Sequence, residues 1–170
     1  MKHYTVMLKP ASSLCNLRCK YCFYCDVAEQ REIRSFGKMT DLTRERILNR
    51  LAESLEPGDQ LELAFQGGEP MLAGLAFYRA LVQTVSQWDR RIHVSYAIQT
   101  NATLLDEAWC EFLKENRFLV GVSYDLLPEQ HDAVRVDAAG RGTSRAVERA
   151  IARSPNAIRF TTSSMNLTLR

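Results

Sequence analysis

Short apolar runs alternate with amphipathic stretches along this chain. Residues 4–8 fit a first strand, and an irregular polar stretch runs from Pro10 to about Met39. That stretch is longer than the usual connection, which favours a functional loop over a linker. Residues 41–55 place Ile47, Leu48, Leu51 and Leu55 on one helical face, and Pro57-Gly58-Asp59 stops them. Residues 61–65 read as a second strand, ending at Gln66-Gly67-Gly68-Glu69-Pro70. A helix over 75–88 turns Leu75, Tyr78, Leu81, Val82 and Val85 inward, and a strand over 93–99 runs into Thr100-Asn101. A helix over 104–114, a strand over 118–123 and a helix over 144–153 follow, with a last strand near 157–162.

Strands alternating with helices predict an α/β fold with a parallel sheet and right-handed crossovers. Four to five such units make a partial (β/α) TIM-like barrel, whose chemistry gathers at the C-terminal ends of the strands. The suggestive segments all follow strands: the cysteine loop, Gly67-Gly68-Glu69, Gln99-Thr100-Asn101, and Ser123 with Asp125. One site is therefore expected. No internal repeat or low-complexity tract interrupts the rhythm.

Composition narrows the partners. The 170 residues are 46% hydrophobic and 25% charged, with a formal net charge of +2. No basic run or acidic tail points to nucleic acid or a membrane surface. No stretch approaches the roughly 18 apolar residues of a spanning helix, and the N-terminus lacks a signal-peptide apolar region. The expected compartment is the cytoplasm, where thiols stay reduced and clustered cysteines point to metal or catalysis before disulfides.

Cys15, Cys19 and Cys22 have the spacing C-x3-C-x2-C, with Cys25 three residues beyond and Cys110 apart in a helix. Three thiolates can hold three irons of a four-iron cluster and leave the fourth open to an external ligand. The competing reading is a structural zinc site closed by Cys25, His3 or His93. Gly67-Gly68 before Glu69-Pro70 is either a plain turn or a place where backbone without Cβ approaches a ligand. Gln99-Thr100-Asn101 reads as a turn or as polar lining of the barrel mouth. Arg135, in a loop with His131 and Asp132, offers a fork for a carboxylate or is a solvated surface charge.

The cysteine spacing after a first strand, with Tyr21 inside it, resembles the radical S-adenosylmethionine (SAM) signature. Lys9-Pro10-Ala11-Ser12-Ser13, Tyr21-Cys22-Phe23-Tyr24, Phe65 to Pro70, Gln99-Thr100-Asn101 and 118–123 narrow the likeness, as do His131, Arg135 and the Gly-Thr-Ser before the last helix. Together they resemble the anaerobic sulfatase-maturating enzymes, a branch with SPASM-type C-terminal domains. The resemblance implies a 4Fe-4S cluster on Cys15, Cys19 and Cys22, whose open iron chelates SAM, and a 5′-deoxyadenosyl radical that abstracts hydrogen. It implies SAM contacts at Tyr21, Gly68, Ser123 and Arg135, with Glu69 opposite the SAM ammonium. The implied reaction oxidises a sulfatase Cys or Ser to Cα-formylglycine. The implied partners are a peptide or protein substrate and a reductant such as flavodoxin or ferredoxin. The same signature serves maturases of other peptides, and a non-catalytic cluster- or zinc-binding remnant is a further reading.

Three departures stand out. Ala102 occupies a position where Gly commonly follows Gln-Thr-Asn, and Leu126-Leu127 replace the usual Gly-Pro. The likeness also fades after residue 153, so residues 1–153 are expected to form the radical SAM core and 154–170 a divergent tail without the SPASM domain. The family's proposed substrate base would lie beyond this region. The expectation is a truncated or frame-shifted product, poorly stable through its exposed sheet edge and inactive alone.

Overall fold

The structure, a computed structural model, describes residues 1–125 and 127–153 and the backbone of 159–162. Leu126 and the remaining tail residues lie outside the described residues. Strand β1 (His3–Leu8) leads through the cysteine loop and α1 (Phe23–Glu29) to α2 (Asp41–Ser54). There follow β2 (Gln60–Phe65), α3 (Leu75–Val85), β3 (His93–Thr100), α4 (Glu107–Glu115), β4 (Leu119–Val122), α5 (Pro128–Val134), α6 (Ser144–Ala152) and β5 (Arg159–Thr162). The strands form one sheet in the order β1-β2-β3-β4-β5, every neighbouring pair parallel. This is the expected partial barrel. Its fifth strand lies beyond residue 153, so the barrel framework continues past the expected boundary of the core.

Alternation builds the sheet. In β2, Leu61, Leu63 and Phe65 are buried while Gln60, Glu62 and Ala64 are half-buried, the two-residue period of a strand with one covered face. The covered face packs Leu48 of α2, Tyr78 and Leu81 of α3, and Trp109 and Leu113 of α4 into one core with Ile98 and Val120. Tyr78 lies edge-on to Phe65 at 5.0 Å and to Trp109 at 5.2 Å, a favoured aromatic geometry. Its hydroxyl donates to the Pro70 carbonyl at 2.9 Å, joining the core to the segment after β2. The opposite face is barer, with Met7 55% and Leu119 40% exposed. Ala64, Gln66, Ala97, Gln99 and Gly121 line a cavity of about 220 Å³ there.

Helix starts follow their caps. Asp106 Oδ1 accepts from Trp109 N at 2.9 Å, so α4 begins at Glu107 rather than at residue 104. Thr40 caps α2 in the same way, accepting from Thr43 N at 3.2 Å. Two helices lie in stretches expected to be irregular, α1 in the cysteine loop and α5 before Arg135.

Candidate active site at the C-terminal edge of the sheet

The cysteine loop leaves β1 through two tight turns, Ser12 N to Lys9 O at 3.0 Å and Leu14 N to Ala11 O at 2.9 Å. Ser12 sits in the left-handed region at φ 55°. The loop is then fastened on two sides by main-chain bonds. On one side Gly68 N donates to Ser12 O at 3.0 Å and Glu69 N to Leu14 O at 2.7 Å. On the other, Arg18 N donates to Val136 O at 2.7 Å and Lys20 N to Val134 O at 2.9 Å.

Cys15, Cys19, Cys22 and Cys25 are all free and half-buried, whereas Cys110 is buried. Cys15 Sγ accepts from Leu17 N at 3.4 Å and lies 3.8 Å from Asn101 Nδ2. Burial pushes its thiol up to about 11 against the Leu17 bond. Burial also raises the Cys19 thiol, while the Arg135 guanidinium pulls it down. Cys22 caps α1, and Cys25 lies in its first turn with Cys25 N donating to Cys22 O at 3.0 Å. Burial, the Cys22 side chain and its charge raise the Cys25 thiol to about 11. Cys25 shares with Cys15 and Arg18 a cavity of about 340 Å³.

His3 and His93 begin β1 and β3, pairing in register through Gln60 at the N-terminal ends of the strands. The cysteines follow the opposite end, some 17–20 Å away at the rise of a six-residue strand. Neither histidine can therefore close a zinc site on this loop. Among the described residues, no three His, Cys, Asp or Glu side chains surround a point that a single metal ion would fill.

The double glycine has a partner within the chain. A Cβ on Gly68 would fall 2.1 Å from Leu14 O, and one on Gly67 would fall 2.6 Å from Ser12 O. Gly67 also has φ +128°, where side chains are strained. The glycines therefore let the β2 loop approach the backbone just before Cys15. Glu69 is enclosed beside them. Its carboxylate is 0% exposed, Oε1 accepting from Met71 N at 3.0 Å and Thr100 Oγ1 at 2.7 Å and Oε2 from Asn101 N at 2.7 Å. It ties the β2 loop to the end of β3.

Asn101 extends the bracing. Its Nδ2 donates to Asn16 Oδ1 at 2.9 Å, and Asn16 Nδ2 donates to Thr103 Oγ1 at 2.8 Å. Ala102 is fully buried at φ 59°, the left-handed conformation that explains why glycine suits this position. For an L-residue it costs roughly 1–2 kcal/mol, partly offset by the burial of one methyl at about 0.8 kcal/mol. Gln99 Nε2 donates to Ser123 Oγ at 3.0 Å.

Arg135 is buried at 8% exposure, not a solvated charge. Its Nε donates to Asp125 Oδ2 at 2.8 Å, and its guanidinium lies 5.2 Å from the Tyr21 ring centre. Asp125 Oδ2 also accepts from Tyr21 OH at 3.5 Å. Tyr21, Cys19 and Arg135 therefore meet, and Ser123 joins them in sequence through Asp125. Asn16 drew no notice in the sequence, and Asp125 was marked only as a companion of Ser123. Their places, inside the cysteine spacing and two residues past Ser123, were the available signal.

Residues 10–168 match the radical SAM superfamily. A cysteine-type anaerobic sulfatase-maturating enzyme of Clostridium novyi is 48% identical over 144 residues, covering 84% of this chain and 38% of that protein. A serine-type enzyme of Bacteroides thetaiotaomicron is 35% identical over 136 residues, covering 80% of this chain and 33% of that protein. The structure of native anSMEcpe with bound AdoMet superposes with a TM-score of 0.85 at 38% identity, covering 94% of this chain and 43% of that one. The same protein with AdoMet and the Kp18Cys peptide gives a TM-score of 0.84 over 42% of its length. The chain spans about two fifths of the length of these relatives. A match over nearly the whole chain, carried by a parallel α/β sheet with three cysteines at its C-terminal edge, places this protein in the radical SAM superfamily, whose members use a 4Fe-4S cluster and SAM.

Proposed function

We propose that Cys15, Cys19 and Cys22 hold a 4Fe-4S cluster and that SAM binds beside it, against Tyr21, Ser123, Arg135 and the backbone at Gly68. The donor chemistry on this loop suits such a group. Three thiols share one loop, N–H groups point at the Cys15 sulfur, and a guanidinium beside Cys19 opposes the rise that burial imposes on its thiol. These donors and this cation complement the negative charge of a thiolate-bound cluster. A single zinc ion needs all its ligands within about 2.3 Å, whereas a cluster takes one cysteine per iron. Cluster and SAM, when bound, supply a radical that abstracts hydrogen from substrate.

Within the chain, Arg135 has its Nε engaged by Asp125, which leaves its terminal nitrogens as a fork for a carboxylate. Ser123 presents a hydroxyl held by Gln99. Glu69 acts indirectly, by fixing the Gly67-Gly68 backbone against the cysteine loop. The reaction served is oxidation of a peptidyl Cys or Ser to Cα-formylglycine in a sulfatase. Cysteine is favoured, because identity is 42–48% to the cysteine-type enzymes and 33–35% to the serine-type ones. No helix among the described residues is long and apolar enough to cross a membrane. The proposed setting is the cytoplasm, with an electron from a flavodoxin- or ferredoxin-like protein.

Anaerobic reconstitution with iron and sulfide tests this reading. Absorbance near about 400 nm, and 5′-deoxyadenosine formed from SAM under reduction, are the expected results. Cys15→Ala, Cys19→Ala and Cys22→Ala should each lose most of the iron, while Cys25→Ser keeps it. Stoichiometric zinc with no iron uptake, or a cluster that never cleaves SAM, would overturn it.

A further inference from the structure

We propose that Asp125, which no sequence motif singled out as a ligand contact, is a positioning residue that aims Arg135 and Tyr21 at the SAM carboxylate. The inference rests on the SAM site proposed above. Arg135 is held at both ends. Its carbonyl accepts from Thr143 Oγ1 at 3.0 Å, and that hydroxyl lies 3.0 Å from His131 Nε2. His131 is fully buried, and its Nδ1 accepts from Asp125 N at 3.3 Å. With Nδ1 accepting, the proton sits on Nε2, so Nε2–H donates to Thr143, which donates in turn to Arg135 O. Burial, with Arg135 nearby, lowers the His131 pKa and keeps the ring neutral.

The side chain is held by Asp125 alone among the described carboxylates. Oδ2 lies 2.8 Å from Arg135 Nε and 3.7 Å from His131 Nδ1. The same oxygen reaches the Tyr21 hydroxyl at 3.5 Å. One carboxylate thus sets the plane of the guanidinium, its place over Tyr21, and the direction of its remaining nitrogens toward Cys19 and the cluster loop. An arginine with several rotatable bonds does not keep such an orientation without a partner. Asp125 therefore lowers the cost of ordering Arg135 when a carboxylate arrives.

The test is SAM affinity of the anaerobically reconstituted chain, measured by calorimetry beside iron content and melting temperature. Asp125→Asn is expected to weaken SAM binding roughly tenfold, the usual effect of losing an orienting partner. Its iron per chain should stay at the wild-type value. Asp125→Asn combined with Arg135→Ala should bind no more weakly than Arg135→Ala alone, because Asp125 acts through Arg135. Asp125→Glu keeps the charge but displaces the oxygen, so it should also weaken SAM while melting like wild type. Wild-type affinity in Asp125→Glu and Asp125→Asn, with Arg135→Ala impaired, would overturn the positioning role. So would losses that simply add in the double variant. Wild-type affinity in Arg135→Ala would instead sink the proposed SAM site itself.

Discussion

Three donors converge on the Glu69 carboxylate, two of them on one oxygen. Glu satisfies them in either protonation state. When protonated, it can donate to Thr100 Oγ1, which then turns its own proton toward Met71 Sδ at 3.2 Å. Gln cannot, because its NH₂ would oppose either Met71 N or Asn101 N. Glu69→Gln should therefore cost about 1–3 kcal/mol in urea unfolding. Burial outweighs the donors and raises the carboxyl from its ordinary 4.5 to about 7, so folding favours the protonated form. The stabilisation is complete below about pH 4.5 and is lost as pH rises through about 7. Wild-type stability should fall more steeply than that of Glu69→Gln between those values, and equal slopes would refute the assignment. At this scale the cysteines stood out by their spacing, whereas Arg135 stood out only through the family resemblance. The role of Glu69 was not legible, since a carboxylate after two glycines reads the same whether it meets a ligand or two backbone N–H groups and a hydroxyl.

Helices α2, α3, α4 and α6 and strand β2 were legible as elements because their buried positions recur at the helical or strand period. Helix α1 buries only Ala28 and α5 only His131, so neither has a periodic apolar face to betray it. Pro128 at the first turn of α5 was the one available start signal. Close backbone packing was equally silent in the pattern, although the paired glycines marked where it occurs. Gly68→Ala should lower both melting temperature and iron uptake, because its Cβ would press on the Leu14 carbonyl ahead of Cys15. Gly140→Ala is the control. At φ +77° with nothing within 4 Å, it should cost about 1–2 kcal/mol of backbone strain and leave iron uptake intact. Equal iron uptake in the two variants would show that the cysteine loop does not depend on the glycine contact.

Across the whole molecule, strands added in chain order put successive loops side by side, which is why motifs far apart in sequence converge on one edge. Alternation could identify the covered face of that sheet, but not what meets the other one. Met7 and Leu119 are exposed on that barer face, and the chain alone should self-associate through it. Light scattering should rise with concentration, and Met7→Gln with Leu119→Gln should suppress the rise; no change would place the contact elsewhere. The bonds that hold the cysteine loop also bear on how freely it can vary. All four that clamp it, at Gly68, Glu69, Arg18 and Lys20, run between main-chain atoms. Every residue but proline carries both peptide groups, so other substitutions at Leu14, Arg18, Lys20, Val134 or Val136 leave those moorings in place. The loop is spelled loosely and shaped strictly: Cys15, Cys19, Cys22 and the glycines opposite are the letters that cannot be exchanged.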